Sequence, residues 1–227
     1  MTVIKSKPLR EIFKILIPFI LIPFSVVIGA IISPERSYLY VSLSVTLLSL
    51  LLFISGFDRK QTGTRRMVIS AVMTSLCVIG RFIPVFKPIT AITVITGVYI
   101  GGESGFLVGA VSAFISNFFS GQGPWTPFQM LGWGIIGLLS GMLSRPLKKN
   151  RWLIVTFGTV MGMLYSFIVD VWTVLWGGGF SAELYLAAIV TAIPHTVIYS
   201  VSNMIFLIIL AKPFGEKLER IKLKYGI

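Results

Sequence analysis

The chain has 227 residues, 55% of them hydrophobic, with a mean hydropathy of +0.90 and only 12% charged residues. A soluble domain of this length has no interior large enough to hide so much apolar surface, so the long uncharged runs indicate an all-α protein that crosses a bilayer several times. The net charge of +12 raises nucleic acid as a partner, but no Lys/Arg patch interleaved with aromatic residues is present to support it.

Taken in chain order, the apolar runs predict eight spans near residues 12–32, 38–56, 67–83, 88–101, 104–119, 126–143, 152–176 and 183–211. The first follows basic residues, as a signal peptide would, but it is too long for a signal core and reads as an anchor. With the second it forms an N-terminal two-helix membrane segment, 1–56, that carries no ionisable group between Lys14 and Glu35. The stretch "GFDRKQTGTRR" then breaks the pattern, giving a basic linker over 57–66, a six-helix core over 67–212 and a basic tail over 213–227. The lone cysteine, Cys77, excludes an internal disulfide framework and any multi-Cys zinc site. In an apolar run it reads as a small buried hydrophobe. The spans 88–101 and 104–119 are short, and Gly101 and Gly102 are what turn the chain between them. The last run exceeds what a bilayer needs, and Pro194 is expected to kink it.

Basic residues orient these spans. With the N-terminus inside and strict alternation, the inner segments collect all of the Lys and Arg except Arg36, Arg81 and Lys87. That satisfies the positive-inside rule, predicting a multi-pass cell-membrane protein with both termini cytoplasmic. The charge then serves orientation and contact with anionic lipid rather than nucleic acid.

The same topology places "GRFIPVFKP" (80–88), "SGQGPW" (120–125) and "WGGGFSAE" (176–183) on the outer face, all rich in Gly, Pro and aromatic residues. Trp125, Gln129, Trp133, Gly137 and Gly141 recur every four residues, so they share one stripe of a helix. Two indoles flanking an amide suit a flat ligand with a polar edge. They also suit an interfacial aromatic belt. The deeper glycines would admit a neighbouring helix closely. Asp170 sits about 9 Å below the outer end of its span, at ~1.5 Å per residue back from Trp176. An acid at that depth must face protein or water, and Tyr165, Ser166 or Arg81 are available to satisfy it. Trp172 and Trp176 lie on a different face of the same span. Thr191, His195, Tyr199 and Asn203 form a second stripe, read as binding at its outer end and helix packing deeper down. His195 is the sole histidine, so no His-based metal cluster exists, and neither metal nor cofactor is expected.

No phosphate-binding GxxxxGK[ST] loop, HExxH or GxSxG motif occurs. An ATP-driven process would therefore need its ATPase on another chain. An integral-membrane enzyme using Asp170 and His195, and a purely structural subunit of another complex, are the alternatives.

Three stretches, "RRMVISAVMTSLCVIGRF", "VYIGGESGFLVGAVSAFISNFF" and "GPWTPFQMLGWGIIGLLSGML", carry a resemblance to the substrate-binding S components of energy-coupling-factor (ECF) vitamin transporters over about residues 65–212. The resemblance implies a vitamin-binding six-helix core, here with two extra N-terminal helices. It also implies two ATPases coupled through a partner membrane subunit, which meets a small-residue face at Ala71 and Ser75, where the family carries Ala-xxx-Ala. Among family members the "GQGPWTPFQM…GWG" block looks most like the cobalamin type, with riboflavin or another heteroaromatic vitamin or precursor next. On this reading Arg81, Asn117, Gln122, Trp125, Gln129, Trp133, Asp170, Trp172, Trp176 and His195 form the substrate site.

Overall fold

A computed structural model describes residues 6–32, 34–56, 60–176 and 179–225. Of the residues singled out in the sequence, Lys5, Arg59, and the 177–178 glycines of the "WGGGFSAE" stretch lie outside these. All secondary structure among the described residues is helical, and the protein is a polytopic membrane helix bundle. The N-terminal segment consists of α1 (Lys7–Leu16), a π-helical turn (Ile17–Leu21) and α2 (Ile22–Ile32), followed by α3 (Pro34–Ser55). Pro18 and Pro23 explain the π turn: each lacks the N–H that a regular helix would use, and one wider turn takes up the mismatch. Helices α2 and α3 close on Gly29, whose carbonyl accepts a hydrogen bond from the Ser37 hydroxyl at 2.7 Å.

The core comprises α4 (Lys60–Gly80), α5 (Ile89–Ile100), α6 (Gly102–Ser120), α7 (Thr126–Met142), the short α8 (Ser144–Lys149), α9 (Arg151–Trp176) and α10 (Ala182–Tyr225). Four segments are long and apolar enough to cross a membrane by themselves: Pro8–Ile32, Ser37–Ser55, Arg151–Trp176 and Ala182–Tyr225. Helix α5 is too short for that, but it is apolar or threonine on every side and buried nearly throughout, as an all-round apolar helix must be. It packs against α4, α6, α7 and α10, and Thr96 satisfies its own hydroxyl on the Ile92 carbonyl at 2.8 Å.

Glycines set how closely α6 and α7 approach. A Cβ on Gly137 would meet the Gly105 backbone at 2.2 Å, and one on Gly141 would meet Gly102 Cα at the same distance. The expected close approach along this stripe is therefore present, and its partner is α6. Gly101 joins α5 to α6 at φ 130°, a conformation that favours glycine. At this basic end of the bundle Glu103 receives Arg66 at 3.8 Å and Lys14 at 3.6 Å. Lys14 thus links α1 to the core, while α3 lies along α6 and α7.

Two element boundaries differ from the sequence expectation. Most of the basic linker is already helix, since α4 begins at Lys60. Helix α10 runs unbroken past Pro194 and Pro213 to Tyr225, so the basic tail is its continuation. The helix persists because its inner face still has a surface to cover: Gly215 rests on Tyr99, and Leu218 is buried.

Candidate functional site

Opposite the basic end, the loops 81–88, 121–125 and 179–181 cap the bundle. Beneath them a cavity of about 340 Å³ opens between α7, α9 and α10. Gln129 borders it from α7, Ser166 and Asp170 from α9, and Thr191, His195 and Tyr199 from α10. The α10 residues recur every four positions, so one face of that helix supplies its whole wall. Asn203, the next in that series, lies deeper and buried, and its amide nitrogen donates to the Gly158 carbonyl at 3.2 Å. The stripe thus changes role along its length, from cavity lining to a helix–helix contact.

Asp170 is only 7% exposed, and its Oδ2 has no hydrogen-bond partner among the described residues. A buried carboxylate oxygen without a donor is costly; the residue itself borders the cavity. Ser166 beside it shares a hydrogen bond with Thr196 at 2.6 Å, so the serine is already engaged.

Behind the α7 wall the polar residues form a connected chain. Arg81 Nη1 donates to Ser116 Oγ and to Asn117 Oδ1, each at 2.7 Å. Asn117 Nδ2 donates to Thr126 Oγ1 at 2.8 Å and Gln129 Oε1 at 2.9 Å. The Arg81 guanidinium also lies 5.2 Å from the centre of the Trp133 ring, within cation–π range. Trp133 is fully buried, donates its indole N–H to Thr90 at 2.9 Å, and stacks on Tyr165 at 4.3 Å. Lys87, in the loop above, has its ammonium pKa lowered by burial and then by the charge of Arg81.

The predicted site residues therefore fall into three groups. Gln129, Asp170 and His195 border the cavity directly. Arg81, Asn117 and Trp133 back its wall without bordering it. The remainder belong to the capping region. Gln122 donates to the Phe114 carbonyl at 2.9 Å and accepts from Thr126 at 3.0 Å, closing the 121–125 loop. Trp125 lies over Gly123, 37% exposed. Trp172 packs between Phe128 and Trp176, and Trp176 is half exposed. Sequence reasoning missed Val169, Thr173, Ala188 and Ala192, which also line the cavity. The alanines are legible in retrospect, because they sit on the His195 and Tyr199 face and are small enough to leave space there. No group of three metal-ligating side chains converges among the described residues.

A larger apolar groove, about 430 Å³, lies toward the basic end between α4 (Val72, Leu76) and the last turns of α10 (Phe214, Leu218). It presents no directional polar group apart from Lys217 and so lacks what would orient a small polar ligand. On the neighbouring surface of α4, Ala71 and Ser75 are exposed.

Residues 61–220 match the profile of the family described as ECF-type riboflavin transporter, S component. The chain belongs to that family. S components are transporter subunits that work with ECF membrane and ATPase subunits, which sets aside the enzymatic alternative for Asp170 and His195. Similar curated proteins include a UPF0397 protein of Aliivibrio salmonicida (strain LFI1238), 29% identical over 61% of this chain and 78% of its own length. UPF0397 proteins of Vibrio atlanticus (strain LGP32) and Aliivibrio fischeri (strain MJ11) are 32% and 33% identical. Each of these two alignments covers 39% of the chain and about half of the relative, 53% and 52%. No solved structure matches the chain. Within this S component the family match runs from the start of α4 to near the end of α10 and leaves α1 to α3 outside it.

Proposed function

We propose that this S component captures a flat heteroaromatic vitamin of riboflavin size in the cavity between α7, α9 and α10. The capping loops would face the exterior, with both termini in the cytoplasm. The observation that carries the reading is the cavity itself, a space of about 340 Å³ lined by both polar and apolar side chains. This volume lies at the small end of the range for ligand sites, roughly 300–1,000 Å³. It suits a tricyclic ring system. A corrinoid is several-fold larger, so cobalamin, the ligand favoured by the sequence resemblance, fits this space less well. The family's riboflavin description points the same way.

In this reading Tyr165 and Tyr199 offer aromatic surface to the ring, while Gln129 and Asp170 meet its polar groups. The basic residues at the opposite end hold the orientation that the positive-inside rule demands. Ala71 and Ser75 form the face toward the ECF membrane subunit, where small side chains permit close helix packing, and two ATPases on partner chains drive release into the cell.

The test is equilibrium binding to the purified chain in detergent, following flavin fluorescence for riboflavin and absorbance for cobalamin. The expected result is stoichiometric quenching by riboflavin and no retained corrinoid. Tight cobalamin binding, or failure to bind riboflavin, would overturn the ligand assignment.

A further inference from the structure

We infer that Arg81 and Asn117 are positioning residues that fix which way the Gln129 carboxamide points, giving the cavity a donor on its α7 wall opposite the acceptor of Asp170. This rests on the binding reading above and deepens it to the polarity of the ligand.

The argument is one of donors and acceptors. An arginine has no acceptor, so the Asn117 atom that meets Arg81 Nη1 at 2.7 Å must be its carbonyl oxygen. That commits the Asn117 amide nitrogen to the other side, where it reaches Thr126 and Gln129. The Gln129 atom that receives this N–H must in turn be its oxygen, which leaves Nε2 as the group available to the cavity. Thr126 reinforces the order by accepting from Asn117 and passing its own proton to Gln122. Tyr165 also borders the cavity, stacked on Trp133 and with its ring centre 5.2 Å from that of Tyr199. At the origin stands a permanent cation whose contacts here are hydroxyl, amide and ring, so its demand for an acceptor propagates outward.

Across the cavity stands a different kind of group. Asp170 borders the cavity from α9, and as a carboxylate it accepts only. The matching ligand carries a carbonyl or ring-nitrogen acceptor toward α7 and a hydroxyl or N–H donor toward α9. A pyrimidine-dione edge joined to a polyol has both.

The substitution Asn117→Asp tests the relay, because an aspartate still satisfies Arg81 but has no N–H. Gln129 must then turn its nitrogen toward residue 117 and its oxygen toward the ligand. Riboflavin titrations of the full chain are run on wild type, Asn117→Asp, Gln129→Met and the double variant, with melting temperatures alongside. Either single change is expected to weaken binding by about 10- to 100-fold, the effect of leaving one buried polar group unpaired. In the double variant, Asn117→Asp should add no further loss, since the group it acts through is gone. Asp170→Asn should weaken riboflavin by a similar factor, and its effect should add to that of Gln129→Met. Multiplying losses for residues 117 and 129, with wild-type riboflavin binding intact, would overturn the relay and leave the proposed ligand standing. No binding by the wild type would overturn both.

Discussion

Replacing Gly137 by alanine tests whether backbone contact between α6 and α7 holds the bundle together. The added Cβ would lie 2.2 Å from both the carbonyl carbon and the oxygen of Gly105, where ordinary contact begins at 3.4 Å. The helices must therefore part by about 1 Å, and the Gly102–Gly141 and Gly109–Trp133 contacts along the same seam loosen with them. Overpacking of this kind costs on the order of 1–3 kcal/mol, against a gain of about 1 kcal/mol from replacing a mid-helix glycine. Because the atoms met are backbone and cannot swing aside, the cost falls in the upper part of that range, about 2–3 kcal/mol. The net loss is therefore about 1–2 kcal/mol, or roughly 2–8 °C in melting temperature for a chain of this size. Gly158→Ala is the control. Its Cβ meets something just as near, at 2.1 Å, but that atom is the Cδ1 end of Leu207, which can rotate away. That variant is expected to melt within about 2 °C of wild type, the propensity gain offsetting the repacking. Thermal unfolding of the three proteins in one detergent decides the matter. Gly137→Ala melting at or above wild type, or no difference between the two variants, would refute the backbone-contact argument.

Three further perturbations probe other parts of the molecule. Ala71→Trp with Ser75→Trp should leave riboflavin binding by the isolated chain within about twofold while abolishing uptake in cells that carry the partner subunits, because both residues are exposed on α4 and distant from the cavity; undiminished uptake would remove this face from the coupling interface. Thr90→Val leaves the buried Trp133 indole N–H without its 2.9 Å acceptor, a loss of about 1–3 kcal/mol readable as a lower melting temperature, and an unchanged midpoint would contradict it. Lys87 has a folded-state pKa below its ordinary 10.5, through burial first and Arg81 second. Between the lowered value and 10.5 the unfolded chain binds more protons, so stability should rise with pH across that window. In Lys87→Met the rise should be smaller, and chemical denaturation over that pH range measures both.

Much of the bundle was legible because bilayer-length apolar runs and the glycine break at 101–102 leave few other readings. The boundaries at residues 60 and 211 were not legible. Charge marks where a chain leaves the hydrocarbon, whereas a helix ends only where it loses a surface to pack on, and Leu218 still has one. The site divides in the same way. Periodicity grouped His195 with Tyr199 on one face and Gln129 with Trp133 on another, since one helix fixes those relations locally. It could not show that Trp133 is covered by Tyr165, or that Arg81 and Asn117 stand behind the wall rather than in it. Those facts depend on how α4, α6, α7 and α9 cross, which no single run records.

The same distinction explains why this site can hold polar groups inside a membrane at modest cost. Arg81 follows α4, Asn117 lies on α6, and Thr126 and Gln129 lie on α7; Arg81 donates to Asn117, and Asn117 donates to both Thr126 and Gln129. Asp170, on α9, is not part of that chain and keeps an oxygen unpaired. On the proposed reading the cavity would combine a preorganised wall, which loses little on binding, with the Asp170 carboxylate on α9 as acceptor for a ligand donor. An affinity built this way depends on the α9–α10 wall staying against α7. Under that proposal, a motion that separated the two walls would withdraw both hydrogen bonds together and so favour release.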